Sequence, residues 1–259
     1  MTVTARTLRR WSVLALLSAA VLSLGGLTVA PKSYAAADDS VIYVVQGLPG
    51  RSVDIAFDDK TVARDVGTAE VVGPFTIKAG KRKATFSEGG KVLLEGMFTA
   101  NAGASCDVVL HLPATPDDHP TVTVFENDLS KVPRGMASLT VAHTARVGEA
   151  DVRVNDKVAF ANIANGQSLN VVVPVATYKV TIVPAGKSEP VVFGPVSLTV
   201  KGGALNRVYA IGDPSQKTMN VAVHVIDTGF RGSAQPDRVN TGTGGQAEAL
   251  QPSRRALWR

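Results

Sequence analysis

Val53-Asp54-Ile55-Ala56-Phe57-Asp58-Asp59-Lys60 alternates apolar and polar side chains and runs into an acidic turn, and its pattern returns 97 residues later as Ala150-Asp151-Val152-Arg153-Val154-Asn155-Asp156-Lys157. Alternation is the period of a strand with one buried face. Working outward, Ile42–Gln46 matches Leu139–His143 at the same spacing, and Phe75–Phe86 matches Val171–Ile182 at a spacing of 96. Further on, Val122-Thr123-Val124 finds its counterpart in Val221-Ala222-Val223. Order and spacing together identify a tandem repeat, each copy one domain.

Within the first copy, strand-like runs fall near 41–46, 53–57, 71–77, 82–87, 92–99, 106–112 and 121–126, separated by turns such as Leu48-Pro49-Gly50, Asp58-Asp59 and Gly89-Gly90. So many short strands in so little chain predict an all-β protein of two tandem β-sandwich domains. The first spans 38–128, the second 138–228, with a linker at 129–137 short enough to restrict the angle between them. Residues 229–259, rich in Gly, Gln, Ser and Arg, read as a disordered basic tail.

At the other end, Arg6, Arg9 and Arg10 precede an apolar run from Trp11 to Leu24, then Gly25-Gly26 and small residues. This is the pattern of a signal peptide, residues 1–37, cut before Ala36 or Asp38; an uncleaved anchor is the alternative. The expected location is secreted or cell-surface, with no integral membrane segment after cleavage. Of the 27 basic residues, four lie in 1–37 and five in 229–259, leaving 18 against 20 acidic ones between them. The folded part is not basic, which argues against a nucleic-acid partner. Cys106 is the one cysteine, so no disulfide framework exists, and its place in the alternating run Cys106–Leu112 reads as a buried thiol.

Val44-Val45-Gln46-Gly47-Leu48-Pro49-Gly50, followed by Val53-Asp54-Ile55 and the Asp58-Asp59 turn, resembles the bacterial domain-of-unknown-function 4397 family. His143 and Tyr178 supply, in the second copy, the His of its Val-Val-His strand and the Tyr of its hairpin; Gln46 stands at the His position in the first. The resemblance implies an extracytoplasmic, immunoglobulin-like or transthyretin-like sandwich and no cofactor.

Chemistry is sparse. His111, His119, His143 and His224 show no metal-ligand spacing, and no nucleophile elbow, zinc-protease helix or phosphate loop occurs. The acidic pairs Asp58-Asp59 and Asp117-Asp118 read as turns. The residues singled out for binding are His143, at the end of a strand, and Lys81 and Lys83, in the basic cluster Lys81-Arg82-Lys83. Alternation sends Lys81 and Lys83 to one face, where a solvated, aggregation-resistant edge competes with binding to an anionic polymer. The expectation is a non-catalytic envelope or secreted module, a scaffold, adhesion or binding pair whose partner is an envelope protein or cell-wall polymer. The alternatives are a small-ligand or calcium-binding sensor and a hydrolase whose site assembles in space around His143 or His224.

Overall fold

In the computed structural model, residues 38–115 and 119–231 are described; residues 1–37, expected as a signal peptide, Asp117-Asp118 and the tail from 232 lie outside the described residues. Sixteen strands form four four-stranded sheets, with no helix among the described residues. In the first repeat these are β1 (Asp39–Gln46), β2 (Val53–Phe57), β3 (Lys60–Val66), β4 (Val71–Lys78), β5 (Gly80–Glu88), β6 (Lys91–Ala100), β7 (Ser105–His111) and β8 (Thr121–Glu126). The second repeat runs β9 (Met136–Ala145), β10 (Ala150–Val154), β11 (Lys157–Ile163), β12 (Ser168–Pro174), β13 (Thr177–Pro184), β14 (Phe193–Thr199), β15 (Ala204–Gly212) and β16 (Asn220–Asp227).

Strand order is the same in both. The first sandwich pairs sheet β4-β1-β7-β8 with β3-β2-β5-β6, and the second pairs β12-β9-β15-β16 with β11-β10-β13-β14. In each, first and seventh strands run parallel while the other neighbours are antiparallel. Ile42, Val44, Val108 and Leu110 meet Ile55, Phe57, Phe86 and Phe98 in the first core; Leu139, Val141 and Val208 meet Val152, Phe160 and Ile182 in the second.

A third core lies between the sandwiches. Val45, Val109 and Phe125 pack against Ala142, Tyr209, Ile211 and Ala222. The sheets carrying β1 and β9 are therefore covered on both faces, and β7 and β15 are buried at every position. Strands of that kind read as continuous apolar runs rather than alternating ones.

Three sequence expectations change. The strand β3 was missing from the expected seven, because it is an exposed edge of an outer sheet whose alternation breaks at Asp65, which takes a left-handed φ of 54°. The linker ends earlier than 137, since β9 begins at Met136. The tail departs later than 229: Phe230 bridges to Val132, and the Arg231 N–H donates to the Val132 carbonyl at 2.8 Å. Val132 is buried, so the linker has an apolar anchor of its own.

Candidate functional site

The polar positions that recur between repeats fasten turns and bulges. Asp54 Oδ1 accepts the Asp65 N–H at 3.0 Å; its counterpart Asp151 accepts the N–H of Asn162 and of Gly186, each at 2.9 Å. Asp65 and Asn162 both hold φ of 54°, a conformation that short polar residues tolerate. Removing the buried Asp151 carboxylate strands two backbone donors, so Asp151→Ala lowers stability by about 2 kcal/mol and Asp54→Ala by about 1, measured by urea unfolding.

Lys83 is part of a similar fastening. Its N–H donates to Asp58 Oδ1 at 3.0 Å and its ammonium lies 2.5 Å from Asp59; Lys179 repeats this with Asn155 at 3.1 Å and Asp156 at 3.1 Å. Arg82 turns the other way, donating to the Lys78 and Ala79 carbonyls and to Asp58. Lys81 is exposed and makes no ion pair among the described residues. Two of the three cations in the cluster are thus paired with the Asp58-Asp59 turn between β2 and β3.

His143 and Gln46 show why an imidazole and an amide interchange at this position. Gln46 Nε2 donates to the Leu48 and Arg51 carbonyls at 3.1 and 2.8 Å, while its Oε1 accepts the Leu48 N–H at 2.5 Å. His143 Nε2 donates to the Gly148 carbonyl at 2.9 Å, and Nδ1 accepts the Ala145 N–H at 3.3 Å. Each side chain offers one donor and one acceptor to the loop that follows its strand. Burial lowers the His143 pKa, keeping the ring neutral, and the void beside it, about 10 Å³, admits at most one water. His143 belongs to the inner sheet of the second sandwich, whereas Lys81 and Lys83 lie on β5 in the outer sheet of the first; the three do not converge.

Of the densest polar cluster, only His224 was singled out in the sequence. The cluster lies between the sandwiches around Asp107, which is fully buried. Asp107 Oδ2 accepts from His224 Nδ1 at 2.9 Å and from the Tyr209 hydroxyl, and Oδ1 accepts from Asn127 Nδ2 at 2.8 Å. Burial pushes the carboxyl pKa up, but these three donors outweigh it and hold the group below the ordinary carboxylate range. The Tyr209 hydroxyl moves well above its usual value through burial and the Asp107 charge. Arg207 donates Nη2 to the Glu126 carbonyl and stands 5.7 Å over the Phe125 ring. Its Nε and Nη1 meet no acceptor among the described residues.

Register relates the equivalent strands of the two sandwiches. Asp107 pairs with Tyr43 as Arg207 pairs with Thr140, so the acid and the guanidinium occupy the same place in their repeats. Beside them, Phe125 and His224 are equivalent on the edge strands β8 and β16. Each charged group crosses to the other repeat's edge strand: Asp107 to His224, Arg207 to Phe125. An Asp–His pair is half of a hydrolytic triad, but among the described residues no hydroxyl or thiol hydrogen-bonds His224, whose ring stacks on Tyr43 at 4.2 Å. Cys106 faces the first core, its thiol pushed up to about 12 by burial, which suppresses the thiolate. No three His, Cys, Asp or Glu side chains gather as a metal site among the described residues.

Residues 40–152 match the family model described as Domain of unknown function (DUF4397). The chain carries a DUF4397 domain. The DUF4397 match runs through the whole first sandwich and across the linker into β9 and β10, so it includes one strand from each sheet of the second. No curated protein matches the chain.

Proposed function

We propose that this chain is a non-catalytic module of the cell envelope or extracellular space, a double sandwich that holds its loops in fixed positions for an envelope protein or a cell-wall polymer. What supports the reading best is how the reactive side chains are used: His111, His143, Asp107 and Cys106 are buried, and the first three are tied into hydrogen bonds within the fold. The third core between the sandwiches makes the pair one body, which suits a spacer better than a flexible tether. Export rests on the Arg-flanked apolar run before residue 25.

Fractionation of the native host into medium, wall and membrane, followed by cross-linking mass spectrometry, tests the proposal. Reproducible cross-links from the sandwich loops to one envelope component are expected. A freely soluble monomer with no cross-linked partner overturns it.

A further inference from the structure

The second core lacks three aromatic rings that the first contains, and register shows where. Phe57, Phe86 and Phe98 of the first sandwich correspond to Val154, Ile182 and Leu198 in the second; Phe160 and Phe193 are gained elsewhere, opposite Val152 and Ile182. Deleting ring volume from a packed core leaves space unless the sheets collapse onto it. Here a cavity of about 130 Å³ remains, bounded by Val154, Ile182, Leu198, Val208 and Val223, with Ser197 the one polar residue of its lining.

The cavity opens between edge strands β14 and β16. Val221, Val223 and Val225 share the inward face of β16, yet Val223 is 43% exposed, because the opposite sheet does not reach over it. In the first sandwich the same edge, between β6 and β8, holds a larger cleft of about 240 Å³, bordered by Met97, Val124 and Thr121. An opening at the corresponding place in both repeats is a property of the fold; behind it the second lines its space with Ile182 and Leu198 where the first has Phe86 and Phe98.

We infer that the second sandwich binds a compact, uncharged apolar molecule, an aryl or short alkyl group, inserted between β14 and β16. Dry apolar cavities of roughly 150 Å³ take up benzene-sized molecules. The lining excludes charged ligands, since it contains no charged side chain with which to compensate their desolvation. This site is independent of any partner at the loops.

Toluene is the probe. Near its aqueous saturation it raises the Tm of the full chain by roughly 2–4 °C, and sodium benzoate, which carries the same ring with a charge, leaves it unchanged. Val154→Phe and Leu198→Phe, which restore rings found in the first sandwich, abolish the toluene shift. Methyl NMR on the unmodified chain, with toluene-induced changes confined to the Val154, Ile182, Leu198 and Val208 methyls, decides the matter if either variant fails to fold. No methyl change, an equal Tm shift in a folded filled variant, or an equal response to benzoate overturns the inference.

Discussion

Asp107→Ala lowers the unfolding free energy by about 3–5 kcal/mol, since several buried donors are left unsatisfied at about 1–3 kcal/mol each. The carboxylate accepts hydrogen bonds from His224, Tyr209 and Asn127, so its loss leaves three donors buried without an acceptor. It also removes a negative charge from an interface that keeps Arg207 almost wholly buried. Tyr209→Phe takes away one donor rather than the shared acceptor and costs about 1 kcal/mol. Urea unfolding of the single variants, with a double-mutant cycle between Asp107→Ala and His224→Ala, separates these contributions. A coupling energy near zero in that cycle would remove the cluster from the account of how the sandwiches are joined. Because the third core shares its two sheets with the sandwich cores, the unmodified chain unfolds in one transition rather than two.

Acidification below neutrality destabilises the protein well before its carboxylates titrate. His111 is fully buried on β7; its Nδ1 donates to the Leu112 carbonyl at 2.9 Å, and Nε2 meets the Thr123 hydroxyl at 2.8 Å. Burial lowers its pKa to about 4, with a smaller contribution from the nearby His143. The folded value lies below the unfolded one, so the contribution is complete above about pH 6.5 and is lost as pH falls towards 4. At about 1.4 kcal/mol per pH unit, His111 alone accounts for roughly 3 kcal/mol across that window. His143, lowered by the same cause, adds to it. Asp107 acts later: its depressed pKa contributes stability above about pH 3.9 that disappears as pH falls through its folded value. Urea midpoints measured from pH 7 to 4 fall steadily, and His111→Asn flattens the slope while lowering the value at pH 7. An unchanged slope in that variant would show that the proton uptake occurs elsewhere.

Much of the fold was legible because strand period and turn chemistry are local. Val53–Phe57 and Ala150–Val154 alternate as strands do, and Asp58-Asp59 and Asn155-Asp156 hold the left-handed turns that such pairs favour. β3 was missed because Val62, Ala63 and Val66, which pack on the first core, do not alternate with its exposed Lys60, Thr61, Arg64 and Asp65. The third core escaped for a different reason. Cys106, Val108 and Leu110 account for one face of β7, but Val109 between them is equally apolar and equally buried. Val208-Tyr209-Ala210-Ile211 repeats that signal in β15, and two-sided apolarity is the mark of a strand covered on both sides.

The site was less legible. His143 lies at a core edge, where strand alternation placed it, but Asp107 and Arg207 are separated by 100 residues and meet the opposite repeat only after both sandwiches form. A charge set into an apolar run at the same place in both copies was the available clue. Lys83 illustrates the converse: a conspicuous cation whose partner, Asp59, sits in the turn after the neighbouring strand β2 and uses up the charge.

The placement of an acid in one repeat where its counterpart has a guanidinium makes the shared face selective. Two first repeats meeting through this face would set each Asp107 against a Phe125 ring, and two second repeats would set each Arg207 against a His224. Either homotypic pair buries like charges with no counter-charge, a defect worth several kcal/mol. Only the heterotypic pair gives the carboxylate its His224 and Tyr209 donors and the guanidinium its ring. The difference between the two sandwiches thus makes this surface one that accepts its unlike neighbour, and the short linker supplies that neighbour within the same chain.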